Sequence, residues 1–231
     1  MTDPEALDRV RTVARPDWQR IDTVCLDMDG TILDQRFDNQ FWLEVLPQQW
    51  SARHGMSVEA ARAELLQRIN AKRGTLQWYC IDYWSDQLQM DFAALKHAMR
   101  HEVRYLPGAL EFIGRARGLG KRLVLATNAH PVSLAIKDEA AALKQHFDVC
   151  VSSHEYGAPK ESPAFWRALY SRQGVVPAAT LFADDSASVV RAARDAGIAW
   201  VYQVLHPDTT QPPQKPLPEV HAIHGIGEIP D

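Results

Sequence analysis

From residue 108 onward the chain alternates between two periodicities, and that alternation limits its fold class. Apolar runs of strand length at 122–127, 147–152, 180–183 and 198–204 are separated by helical segments at 109–119, 131–143, 163–172 and 186–196. Gly120 and Gly197 stop two of these helices, and Pro131 and Pro163 suit first helical turns, the second behind a Ser162 cap. Strand–helix–strand repeats of this kind pair their strands in parallel, and the helices cover both faces of the sheet. An earlier apolar run at 21–26 supplies a further strand. The expected fold class is α/β, a three-layer Rossmann-like parallel sheet.

Between that first strand and residue 108 the character changes. Phe41, Trp42, Val45 and Leu46 recur at helical spacing ahead of Pro47. Ser57 is placed to cap a helix over 58–69, and further helical segments are expected at 75–88 and 92–103. No strand signal interrupts them, and Leu106-Pro107-Gly108 marks a boundary. The expected organisation is a catalytic core from 1–36 and 104–231, with a helical cap at 37–103 inserted after the first strand. The tail from His206 contains six prolines and reads as an irregular strap over the core.

The net charge of −4 is spread over well-mixed acidic and basic residues. Without a basic stripe, nucleic-acid polymers are not expected partners. Cys25, Cys80 and Cys150 are odd in number and contain no C-x-x-C pair, which argues against a disulfide or zinc framework and for a reducing compartment. Residues 1–20 carry no apolar signal-peptide core, and no apolar run reaches the roughly 18–20 residues needed to span a bilayer. A cytoplasmic protein without membrane contact is expected; monomer and dimer both stay open.

Open parallel sheets bind ligands at the carboxyl ends of their strands. The first strand ends in Asp27-Met28-Asp29-Gly30-Thr31, the second in Thr127-Asn128 and the fourth in Asp184-Asp185, while Lys160 lies in the loop after the third. Asp27 and Asp29, two apart in extended chain, project to one face and repel unless a cation intervenes. A carboxylate such as Asp27 can attack phosphorus, and Asp29 is placed to protonate the leaving oxygen and then activate water. Asp184 and Asp185 complete with Asp27 an all-oxygen anionic site suited to Mg²⁺, with no neutralising protein cation expected among them. Thr127 and Lys160 would meet the phosphoryl oxygens. Individually each pair has a structural reading, such as a turn or a helix cap; the ordered set points to phosphoryl chemistry.

These motifs resemble the haloacid dehalogenase superfamily of phosphohydrolases, at Asp27–Thr31, Thr127-Asn128, Lys160 and Asp184-Asp185. The resemblance implies strand order 5-4-1-2-3 and a mobile cap. It also implies Mg²⁺ ligation by the Asp27 side chain, the Asp29 backbone carbonyl and Asp185, with Asp184 nearby. The second aspartate fits the phosphatase branch rather than the dehalogenases. A closer resemblance is to the bacterial GMP/IMP nucleotidases, carried by residues 26–34, 37–42, 75–85 and 127–131. It implies a purine nucleoside 5′-monophosphate as the small-molecule phosphate ester; a phosphatase or mutase acting on a sugar phosphate or phosphoglycolate is the alternative. Asp38 and Asn39, just past the first motif, are candidate substrate contacts. Lys72 and Arg73 could meet a phosphate or a base carbonyl, or face water. The insert's aromatic residues could stack on a base, but most are expected to form its own core.

Overall fold

A computed structural model describes residues 15–231; the first fourteen residues of the charged stretch at 1–20 lie outside the described residues. Six parallel strands form one sheet: β1 (Thr23–Leu26), β2 (Arg122–Thr127), β3 (Val149–Ser152), β4 (Thr180–Asp184), β5 (Trp200–Val204) and β6 (His221–Ile223), in the order β3-β2-β1-β4-β5-β6. The five strands of the implied order are present as 5-4-1-2-3, and β6 extends the sheet beyond β5. That sixth strand comes from the tail expected to be an irregular strap. Its three residues are too few to show strand periodicity, and they gain their ladder from Tyr202, Gln203 and Val204.

Both faces of the sheet are buried, so the strands read as continuous apolar runs. Val24, Leu26, Leu123, Leu125, Leu181 and Ala183 belong to one core, while Cys25, Val124, Ala126, Phe182 and Val151 belong to the other. This alternation follows from the two-residue period of a strand. Helices α9 (Pro163–Gln173) and α10 (Ala187–Asp195) cover the second face through Phe165, Trp166, Leu169, Val189 and Val190. Helices α7 (Ala109–Gly118) and α8 (Pro131–Ala141) contribute Phe112, Ile113 and Leu134 to the first.

The first core continues into the segment between β1 and β2, where Phe37, Phe41, Trp50, Leu65, Trp84 and Phe92 join it. That segment is helical: α1 (Arg36–Gln40), α2 (Leu46–His54), α3 (Val58–Asn70), α4 (Leu76–Tyr79), α5 (Ile81–Leu88) and α6 (Phe92–Ala98). Two details depart from expectation. A π-helical turn, Phe41–Val45, joins α1 to α2, with the Leu46 N–H reaching back to the Phe41 carbonyl. Pro47 has no N–H to give the next α-type bond, and the wider turn carries the helix past it. The expected helix at 75–88 breaks at Cys80, whose extended backbone ends α4 and caps α5.

The tail also ties down the start of the insert. The Gln35 N–H donates to Pro207 O at 2.9 Å, Thr209 Oγ1 donates to Asp34, and Asn39 Nδ2 donates to Asp208 at 2.7 Å. Among the described residues no helix is long and apolar enough to cross a membrane.

Candidate active site

β1 and β4 run side by side, and their carboxyl ends bring Asp27, Asp184 and Asp185 together. The Asp27 N–H donates to Ala183 O at 3.0 Å, extending the ladder one residue past β1. A carboxylate oxygen from each of the three aspartates lies within 4.8 Å of the others, and all three residues are buried. Gly30 makes the approach possible. Its φ is +80°, and a Cβ there would stand 2.7 Å from Pro207 Cβ and 2.8 Å from Asp185 Cγ. Any other residue would be strained and would push Asp185 away.

Lys160 enters the same cluster, so the expectation of carboxylates without a protein cation is corrected. Its ammonium ion-pairs with Asp27, bonds Asp184 at 2.7 Å, and donates to Ala126 O at 3.0 Å. Spacing along the chain could not show this, because the side chain reaches back across the sheet edge from the loop after β3. The loop is fixed by Asn128, whose Oδ1 accepts the Lys160 N–H at 2.9 Å, and by Trp166, whose Nε1 donates to Lys160 O at 2.7 Å. Thr127, nearly fully buried, accepts the Ala129 N–H at 3.0 Å, which leaves its own O–H as a donor.

The electrostatics follow from three carboxylates facing one ammonium. Burial raises the Asp27 pKa to about 7, despite the attraction of Lys160 and with further upward push from Asp184. Burial also raises Asp184, and it raises Asp185 strongly, reinforced by Asp184 and Asp27. Among the described residues Asp185 has no lysine or arginine within ion-pair distance. An excess of buried negative charge on oxygen donors is a site for a hard divalent cation, and these residues fit one.

Asp29 points into a second charged network that the motifs did not announce. Lys137, buried on α8, bonds Asp29 and Asp38 at 2.5 Å each; Lys96, buried on α6, bonds the other Asp38 oxygen at 2.6 Å. Burial raises Asp29 to about 6, against the pull of Lys137. Burial alone would raise Asp38 as well, but Lys137 and Lys96 outweigh it and hold that carboxyl below the usual range. Lys96 lies 4.6 Å from the Phe41 ring centroid and Lys137 5.3 Å from that of Phe37. One signal for these lysines was available. Ser133, Leu134 and Ile136 share the buried side of α8 with Lys137, a cation at a core-facing position.

The structure does not bring every expected residue to the acidic centre. Both oxygens of Asp38 are engaged by lysines, and the Asn39 amide by Asp208. Asn128 donates through Nδ2 to Glu161 at 3.0 Å, and Glu161 accepts from the Tyr79 hydroxyl of α4 at 2.7 Å, joining insert to sheet. Lys72 and Arg73 lie over the rings of Tyr83 and Trp78 at 5.6 Å.

Residues 21–197 match the haloacid dehalogenase-like hydrolases, and the chain belongs to that family. It is a hydrolase of that family. It is 40% identical over 192 residues to GMP/IMP nucleotidase YrfG of Escherichia coli K12, covering 83% of this chain and 86% of that protein. A phosphoserine phosphatase of Thermus thermophilus is 35% identical over 114 residues, 47% of this chain and 46% of its own. Among solved structures, a haloacid dehalogenase-type phosphatase from Thermococcus onnurineus superposes with a TM-score of 0.76 at 21% identity, covering 90% of this chain and 95% of that one.

Proposed function

We propose that this chain is a cytoplasmic, Mg²⁺-dependent nucleoside 5′-monophosphatase that favours GMP and IMP and works through an aspartyl-phosphate on Asp27. The observation that carries the chemistry is the convergence of Asp27, Lys160, Asp184 and Asp185 at the carboxyl ends of β1 and β4, with Asp29 two residues from Asp27. The 40% identity to a GMP/IMP nucleotidase, extending over most of both chains, supports the substrate class. Residues 37–103 then act as a cap over the site.

In this reading a carboxylate oxygen of Asp27 attacks phosphorus, and the bond from phosphorus to the ester oxygen breaks. Asp29 gives its proton to that oxygen as the nucleoside leaves. Water then attacks the same phosphorus while Asp29 takes up its proton, and the bond to Asp27 breaks. Inorganic phosphate leaves with Asp27 regenerated. The Lys160 ammonium and the Thr127 hydroxyl hold the phosphoryl oxygens, and Asn128 keeps the Lys160 loop in place. Lys137 is a positioning residue that fixes Asp29. Mg²⁺, held by Asp27, Asp185, the Asp29 carbonyl and nearby Asp184, would neutralise charge between nucleophile and phosphate. Asp38 serves as scaffold, since both its oxygens are held by lysines, and Asn39 is tied through its Nδ2 to Asp208.

The test is phosphate release from GMP in Mg²⁺ and in excess chelator, with wild type and Asp27→Asn. Activity should be lost in chelator and fall below a few per cent in the variant with its fold intact. Full activity in chelator would overturn the metal requirement, and substantial activity in Asp27→Asn would move the nucleophile elsewhere.

A further inference from the structure

Away from the acidic centre, a second group of metal-binding side chains lies at the seam between the helical insert and the sheet. Cys80 Sγ, a ring nitrogen of His130 and a ring nitrogen of His154 all fall within 4.8 Å of one another. Cys80 comes from the corner between α4 and α5, His130 from the N-cap of α8 after β2, and His154 from the 3₁₀ turn Ser153–Tyr156 after β3. Three separate elements supply one residue each, so no spacing along the chain reveals the group. The absence of a C-x-x-C pair therefore does not argue against it.

The three side chains are held in different ways. The His154 Nε2 is buried and has no hydrogen-bond partner. A buried imidazole nitrogen without a protein partner is free to offer its lone pair to a metal ion. His130 meets His154 edge-on at 4.9 Å between centroids. Its Nδ1 accepts the Val132 N–H at a long 3.4 Å, and its Nε2 stands 3.5 Å from the Asp82 carboxylate. Cys80 Sγ accepts the Tyr83 N–H at 3.4 Å at the N-terminus of α5.

We propose that Cys80, His130 and His154 form a Zn²⁺-class site that staples the helical insert to the sheet. One thiolate and two imidazoles suit a borderline-soft divalent ion and not Mg²⁺, which prefers oxygen. Ligands bound at 2.0–2.3 Å in a tetrahedron stand about 3.3–3.8 Å apart, so the group closes around an ion with side-chain shifts of about 1 Å. Because His130 follows β2, His154 follows β3 and Cys80 belongs to the insert, a bound ion would restrain the insert against the ends of those two strands. The proposal does not depend on the nucleotidase reading.

The test is a titration of the full chain, saturated with Mg²⁺, using Co²⁺ as a spectroscopic probe. One equivalent should produce a thiolate-to-cobalt charge-transfer band, and one equivalent of Zn²⁺ should remove it. Cys80→Ser keeps a capping acceptor for the Tyr83 N–H. It should lose the band and bind Zn²⁺ at least about 100-fold more weakly. Cys150→Ser should retain the band, because Cys150 lies on β3 outside the group. His154→Gln should lose affinity to a similar degree and decides the matter if Cys80→Ser fails to fold. No band in wild type, or a band surviving either Cys80→Ser or His154→Gln, would overturn the proposal.

Discussion

At Asp185 the carboxylate faces Asp27 and Asp184 with their shared lysine already engaged, so its charge is compensated only when a cation arrives. The folded pKa values of Asp27, about 7, and Asp29, about 6, stand above the ordinary 3.8. A carboxyl raised on folding stabilises the fold fully below its unfolded pKa and loses that contribution as pH rises through its folded pKa. In chelator this contribution therefore fades between about pH 4 and pH 7. Metal binding needs the ionised forms, so its stabilisation grows over the same window. Burial holds His154 near pKa 4 and also lowers His221, which gives an opposite slope. That slope is shared by both conditions and cancels in their difference. The expected result is a Tm gain from Mg²⁺ that is small near pH 5 and large near pH 8. At about 100 Kd it amounts to about 2.7 kcal/mol, or roughly 5–10 °C for a chain of this size. Calorimetry in chelator and in Mg²⁺ across that range checks it, and a gain that shrinks with rising pH would contradict it. Asp27, Asp29, Lys160, Asp184 and Asp185 were legible as residues because strand ends announce them. Their pairing was not, because the reach of Lys160 is a three-dimensional fact.

At the scale of elements, α8 links the two parts of the site. It starts after Thr127-Asn128, and its buried Lys137 joins Asp29 of the first motif to Asp38 of α1, while Lys96 of α6 holds Asp38 from the other side. Lys137→Met should slow a nucleotide, whose alkoxide needs a proton, by up to about 10²-fold. An aryl phosphate with a good leaving group should be affected far less. Lys96→Met touches Asp38 and not Asp29; Lys137 still pairs Asp38, but the buried network is left one positive charge short, which should lower stability by about 3 kcal/mol, without that leaving-group split. Paired turnover measurements on both esters check this, and equal losses on both in Lys137→Met would remove the positioning role. The βα alternation from 109–204 was readable because each strand and helix is long enough to show its period. The Cys80 break, the π-helical turn before Pro47 and the short edge strand β6 were not. Each is decided by one residue's backbone or by a neighbour's ladder rather than by a pattern.

Over the whole molecule, the apolar core on one face of the sheet runs without interruption into the helical insert, and polar links close the seam. Asn128, Glu161 and Tyr79 form one such link; Lys137 and Asp38 form another. The fold class was legible from the chain as a whole because doubly covered parallel strands leave continuous apolar runs. Base preference was not, because in the proposed reading it would depend on a few single polar side chains and not on a pattern. Most insert aromatics, including Phe37, Phe41, Trp50, Trp84 and Phe92, are consumed by the core. Tyr79 instead reaches the sheet through Glu161. A site that pairs with a 6-oxopurine meets an acceptor at O6 and a donor at N1, and adenine reverses both. Unpaired buried groups then cost about 1–3 kcal/mol against AMP, equivalent to roughly five- to 150-fold in rate. The most direct measurement is kcat/KM for GMP, IMP, AMP, CMP, UMP and a set of sugar phosphates under identical Mg²⁺. GMP and IMP should lead the rest by that margin; equal values for GMP and AMP, or a clear lead for a sugar phosphate, would overturn the 6-oxopurine reading.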